Sequence, residues 1–301
     1  MYEEFKERLS SVISTGIIEN ELMNRHTTFK VGGPCSVFIS PVISEIPAVL
    51  KLCGEYDVPY IVIGRGSNVL FSDKGYDGLV IEMGDENNEI IVDGTVITAG
   101  AGATLAAVAM KAYENSLTGF EFASGIPGSI GGGLFMNAGA YGGEMKDVVL
   151  SAEAIDKEGN IVTIDAVDMD LSYRHSLFMM KDLIVTSVTI HLTEGNKDEI
   201  KALMDDFNGR RRDKQPLNYP SAGSFFKRPE GNYAGKLIEN AGLAGLRVGG
   251  AEVSSKHCGF IINVDNATSG DIIGLMKKVQ SAVMEQFGIM LEPEVKFIGT
   301  F

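Results

Sequence analysis

The sequence has 301 residues, 45% hydrophobic and 22% charged, a globular balance that excludes disorder along the whole chain and suits about two domains. A formal net charge of −14 argues against a nucleic-acid partner, because a duplex-binding surface needs lysines and arginines to displace counterions. No apolar run approaches the ~18 residues of a membrane span, and Met1 to Lys6 hold no basic region leading into an apolar stretch, so neither a membrane partner nor a secretory signal is expected.

Strand and helix signals then alternate irregularly. Val37 to Ile39 predicts a strand, Ser44 is placed to cap a helix through Tyr56, and Tyr60 to Ile63 is a short β-branched run stopped by Gly64, a βαβ-like opening. Leu79 to Glu82 and Ile90 to Val92 read as strands, and Asp93-Gly94 before Thr95-Val96-Ile97 is a two-residue hairpin signal. Thr104 is placed to cap an alanine-rich helix to Asn115, residues 149–165 form a second hairpin around Glu158-Gly159-Asn160, and Leu183 to Leu192 is a long strand. The polar cluster Thr193 to Lys197 marks a boundary, followed by a helix to Arg212. Near the end, Ile272, Leu275, Met276, Val279, Val283 and Phe287 share one helical face between Thr268 or Ser269 and Gly288. Glu292 to Ile298 predicts a last strand with Val295 and Phe297 on one side. Cys35, Cys53 and Cys258 are far apart and form no CxxC, which predicts reduced, packed thiols in a cytoplasmic protein.

Charge and glycine are unevenly distributed. Residues 1–195 carry 12 basic and 27 acidic side chains, whereas Phe207 to His257 carries nine basic and four acidic, which suggests a small anionic ligand there. Gly64-Arg65-Gly66-Ser67-Asn68 follows a strand, where backbone N–H groups can turn toward a phosphate; Val69 replaces the third glycine of a dinucleotide fingerprint, which weakens a Rossmann reading. Gly100-Ala101-Gly102 repeats that placement. Between Gly125 and Gly143 there are eight glycines in nineteen residues, interleaved with Ile, Leu, Phe, Met and Tyr. Such density suits a backbone that approaches something flat or anionic; close packing of helix on sheet is the alternative. The four histidines show no metal spacing, so no metal is expected.

Six motifs stand in a fixed order: Gly64 to Leu70 (GRGSNVL), Ser124 to Gly132 (SGIPGSIGG), Met136 to Glu144 (MNAGAYGGE), Tyr173 to Ser176 (YRHS), Ala222 to Pro229 (AGSFFKRP) and Leu291 to Gly299 (LEPEVKFIG). This set resembles the UDP-N-acetylenolpyruvoylglucosamine reductase family, over about Asn24 to Gly299. Only a few residues separate Ser176 from the strand at Leu183, so the tyrosine loop of the longer subfamily is absent and the resemblance is to the shorter one. The resemblance implies an α+β fold: an FAD-binding domain of the vanillyl-alcohol-oxidase type in two subdomains, about 24–88 and 89–195, and a C-terminal α+β substrate domain, 196–301. It implies noncovalent FAD, NADPH as reductant, and hydride delivery from flavin N5 to a nucleotide-sugar enolpyruvyl ether in peptidoglycan synthesis. Family catalytic residues fall on Arg174, Ser224 and Glu294. Cofactor contacts are expected at Gly64, Arg65, Gly66, Ser67, Asn68, Val69, Leu70 and Gly102, at Gly125, Ile126, Pro127, Gly128, Ser129, Gly131 and Gly132, and at Asn137, Ala138 and Gly139.

The residue types agree with that chemistry. Reducing an enolpyruvyl ether needs a hydride at one carbon and a proton at the next, with negative charge building into the carboxylate. Arg174 offers a planar, permanently charged fork. Ser224 can deliver the proton if aligned on a strongly basic centre, and Glu294 can hydrogen-bond or hold a partner in place. Tyr173, Lys227, Lys236, Arg247 and Lys256 are candidates for the substrate. A flavin oxidase or dehydrogenase of the same fold, and a nonenzymatic nucleotide-binding module, are the alternatives.

Overall fold

The structure is a computed structural model and describes residues 2–301. The chain divides into two compact units. The first comprises residues 2–18, 37–65 and 78–211; the second comprises 19–36, 66–77 and 212–301.

In the first unit a five-stranded antiparallel sheet has the order Ile161–Asp165, Val149–Asp156, Leu183–His191, Val96–Gly100, Ile90–Asp93. The long β-branched strand lies at its centre, where Val188 and Ile190, two residues apart, bury one face while Ser187, Thr189 and His191 on the other face are half-buried or exposed. Asp93 pairs with Val96, so Gly94-Thr95 makes the turn, one residue later than the expected Asp93-Gly94. Gly94 has φ +57 and Thr95 stays at negative φ, which selects a turn with glycine at its first central position. The second hairpin forms as expected, with Ile155 opposite Ile161. Tyr60–Ile63 pairs parallel with Leu79–Glu82. The helix preceding Tyr60 starts at Ile46, after a 3-10 turn Ile43–Glu45, and not at a Ser44 cap. Pro47 lies in its first turn, where the missing N–H costs nothing. The alanine-rich helix Leu105–Glu114 is capped as expected: the Thr104 hydroxyl accepts from Ala107 N at 3.1 Å. One apolar core, including Phe5, Leu9, Ile39, Ile81, Ile97 and Phe120, closes this unit.

The second unit has a three-stranded antiparallel sheet, Arg247–Val248, Ala251–Val253, Ile261–Asn263, and a parallel pair, Val69–Phe71 with Lys296–Ile298. The helix Ser269–Phe287 lays Ile272, Leu275, Val279 and Val283 into a core that includes Phe29, Leu70 and Phe225. Phe287 is 38% exposed, so the buried stripe ends one turn before the left-handed Gly288. The last strand is shorter than expected: pairing begins at Lys296, and Val295 is buried while Phe297 is not.

Candidate active site

Within the first unit the glycine loops meet. A Cβ on Gly64 would lie 2.3 Å from Ser129 Oγ, so the loop after Tyr60–Ile63 presses on the turn that starts the helix Ile130–Phe135. The backbone N–H groups of Gly64, Arg65, Gly128 and Ser129 find no protein acceptor among the described residues. Arg65 adds a cation: one Nη donates to Gly102 O at 3.2 Å and pairs with Asp85, while its buried Nε has no partner. Hydrogen bonding from Arg65 holds the Asp85 carboxyl below the usual carboxylate range. Unpaired N–H groups on two loops in contact, beside a guanidinium, are a donor set suited to a diphosphate, and these residues fit an FAD.

Most of the remaining glycine density has the other cause, close packing. A Cβ on Gly131 would lie 2.7 Å from Ala101 Cβ, on Gly133 3.1 Å from Leu105, on Gly139 2.6 Å from Gly143 O, and on Gly143 2.5 Å from Phe122. Gly102 meets Gly84 O in the same way, and Gly125 meets Asn208 Oδ1 at 2.3 Å. Leu70 is fully buried and its side chain packs into the second core. In the second unit, Gly66 lies against the His26 carbonyl.

Arg174 projects from a tight turn, Ser172 to His175, closed by hydrogen bonds both ways between its ends at 3.2 and 3.1 Å. Its φ is +54, a left-handed conformation that a long side chain rarely adopts. Its guanidinium donates to Asn137 O at 3.4 Å and lies 5.0 Å from the Tyr173 ring centroid.

Ser224 and Glu294 belong to the second unit, where the backbone brings them side by side. Glu294 N donates to Phe225 O at 2.8 Å and Lys227 N to Glu292 O at 2.8 Å, around an antiparallel bridge between Phe226 and Pro293. Phe225 is fully buried against Phe29 and Phe226, so the apolar pair in GSFF anchors the strand and leaves Ser224 exposed before it. Asn68 Nδ2 donates to Glu294 O at 3.3 Å, and Lys296 N to Asn68 O at 3.0 Å. Lys296 was missed by the sequence reading. Burial pushes its ammonium below the usual lysine range, Lys227 adds to that, and Glu294 opposes it. Alternation of Glu294 and Lys296 along one strand was the available signal.

Each of the four candidate substrate cations already has a protein acceptor. Lys227 pairs with Glu292 at 3.2 Å and Lys236 with Glu239 at 2.9 Å; Arg247 pairs with Glu252, and Lys256 Nζ donates to Arg212 O at 2.6 Å. Arg211 was also missed. Its Nε is buried without an acceptor beside Gly125, and burial lowers its pKa although Tyr141 opposes this.

Comparisons with known proteins bear on these two units. Residues 38–165 match an FAD binding domain family, and residues 215–298 match the family described as UDP-N-acetylenolpyruvoylglucosamine reductase, C-terminal domain. The chain is 51% identical over 298 residues to the UDP-N-acetylenolpyruvoylglucosamine reductase of Agathobacter rectalis, covering 95% of each. It is 50% identical to that of Clostridioides difficile, covering 93% of this chain and 92% of the relative. The crystal structure of UDP-N-acetylenolpyruvylglucosamine reductase from Thermus caldophilus superposes with a TM-score of 0.80 at 32% identity, covering 95% of this chain and all of that one. BBE-like 1 from Physcomitrella patens shares the fold alone, with a TM-score of 0.50 at 16% identity over 63% of this chain and 44% of that one. The chain therefore belongs to the UDP-N-acetylenolpyruvoylglucosamine reductase family, FAD-dependent oxidoreductases that join a flavin-binding domain to a C-terminal domain of their own.

Proposed function

We propose that this chain reduces UDP-N-acetylglucosamine enolpyruvate to UDP-N-acetylmuramate in the cytoplasmic part of peptidoglycan synthesis, with noncovalent FAD as cofactor and NADPH as reductant. The observation that carries the proposal is the pairing of the Ser224 and Glu294 segments through Phe225 O, in a chain about half identical to proteins named for this reaction. Bound FAD would supply hydride-transfer chemistry that no side chain has, and Gly64, Arg65, Gly128 and Ser129 would hold its diphosphate.

The side chains position, neutralise and protonate. Arg174 meets the substrate carboxylate as negative charge builds into it, a bidentate role that its planar fork fits. Ser224 Oγ gives its proton to the carbon that becomes basic, and Glu294 holds that arrangement by hydrogen bonding. Lys227, Lys236, Arg247 and Lys256 are assigned, with Tyr173, to the nucleotide sugar. Lys227 and Lys236 now sit in exposed ion pairs with Glu292 and Glu239, worth about 0–1 kcal/mol each, so exchanging those carboxylates for a phosphate costs little.

Ser224→Ala tests the assignment. Turnover should fall roughly 10²- to 10³-fold, the scale for one aligned transition-state group, while flavin content and melting temperature stay unchanged. Turnover equal to the parent enzyme would remove Ser224 as proton donor. Both substrates must reach the same flavin, so initial-velocity lines should be parallel; intersecting lines would contradict this order of events.

A further inference from the structure

We infer that the Asn137 carboxamide is the positioning group that holds Arg174 in its working conformation. The inference rests on the assignment of Arg174 to the substrate carboxylate.

Asn137 is fully buried and itself left-handed, with φ +42, a conformation that asparagine tolerates better than other side chains. Its amide is committed to protein on every side. Nδ2 donates to Ser172 O at 2.9 Å and to Glu144 Oε2 at 2.9 Å, and Oδ1 accepts from Lys146 N at 2.9 Å. Both amide hydrogens are therefore used, and the side chain has no donor left for a cofactor, the role first expected of it. Ser172 O is the carbonyl that also accepts from His175 N, so the amide grips the residue that closes the Arg174 turn. The main-chain carbonyl of Asn137 accepts from the Arg174 guanidinium at 3.4 Å. One residue thus holds both the base and the tip of Arg174. Ser176, fully buried, secures the far end of the turn through Phe135 O at 2.7 Å. A left-handed arginine persists only when its surroundings over-determine it, and Asn137 supplies the contacts that do so.

The test is a double-mutant cycle on the holoenzyme with Asn137→Gly and Arg174→Ala. Asn137→Gly keeps the left-handed backbone and the carbonyl and removes only the amide. The prereduced variants are mixed anaerobically with UDP-N-acetylglucosamine enolpyruvate, and flavin reoxidation is followed. Hydrogen exchange at the His175 amide gives a readout that needs no turnover. Asn137→Gly should slow reoxidation by about 10²-fold, the scale of a misplaced catalytic group, through kcat more than KM, with reduction by NADPH unchanged. The same change in the Arg174→Ala background should cost less than about threefold more, because groups acting as a unit are not additive. His175 exchange should accelerate. Multiplicative effects, or an unchanged rate and exchange in Asn137→Gly beside a slow Arg174→Ala, would overturn the inference alone. Arg174→Ala at the parent rate would remove the proposed function, and this inference with it. If Asn137→Gly does not fold, Asn137→Asp, which keeps the shape and loses both donations, is read in the same cycle.

Discussion

Ala101 Cβ lies 2.7 Å from where a side chain at Gly131 would begin. Gly131→Ala should therefore destabilise the first unit by about 1–3 kcal/mol, the usual cost of overpacking a close helix contact; urea unfolding measures it, and an unchanged midpoint would contradict the packing account. Gly132 faces only Ser129 Oγ at 3.4 Å, so Gly132→Ala should cost much less. That contrast could not be read from the sequence, where the glycines of the third segment look alike. Arg174 and Ser224 were named from their motifs, but their local settings were not legible. The turn that makes Arg174 left-handed depends on Asn137, far away in sequence, and the exposure of Ser224 depends on the burial of Phe225.

At the scale of elements, caps and periodicity were legible because they are local. Thr268 accepts from Asp271 N at 3.0 Å and Asp271 accepts from Thr268 N at 3.0 Å, a reciprocal cap on Ser269–Phe287. Thr268→Ala should cost about 1 kcal/mol of stability. Hydrogen bonding from the Thr268 N–H chiefly, then from its hydroxyl and from Gly250, holds the Asp271 carboxyl below its ordinary value of 3.8. The carboxylate thus contributes stability that is fully present above that value and lost as pH falls through the lower folded one. Asp271→Asn should flatten the acid limb of stability against pH; an unaltered limb would contradict the cap. The final strand shows the opposite case. Alternation predicted Glu292 to Ile298, but Pro293 and the bridge to Phe226 spend its first half on the Ser224 segment, and only Lys296–Ile298 pairs with Val69–Phe71. Such pairing between distant segments leaves no local trace.

Across the whole molecule the charge follows the two units. The first carries 13 basic and 27 acidic side chains, and the second 13 of each. The basic stretch seen in the sequence straddles this division; in its part within the second unit, Lys227, Lys236 and Arg247 are paired with Glu292, Glu239 and Glu252 of the same unit. All three cysteines are buried free thiols, and burial pushes Cys35 up to about 11 and Cys53 up to about 12. Because the thiolate is the reactive form, an aromatic disulfide reagent at pH 8 should label Cys35 and Cys53 only after denaturation; prompt labelling of either in the native protein would contradict the packing. The early hairpin and the βαβ-like opening were legible from local signals, whereas the α+β class itself came from the resemblance carried by the six motifs. The division into units, which assigns residues 19–36 and 66–77 to the C-terminal one, was not legible, because it is made by contacts between distant segments.

In the proposed reaction one flavin serves two substrates, with Arg174, Ser224 and Glu294 assigned to the second. The purified protein should be yellow, lose its flavin to acid, and bleach with NADPH under anaerobic conditions. Adding UDP-N-acetylglucosamine enolpyruvate in the absence of oxygen should then restore the oxidised flavin spectrum in one rapid phase. Flavin that stays bleached with that compound, yet recovers promptly with oxygen, would contradict the account and identify an oxidase on the same fold.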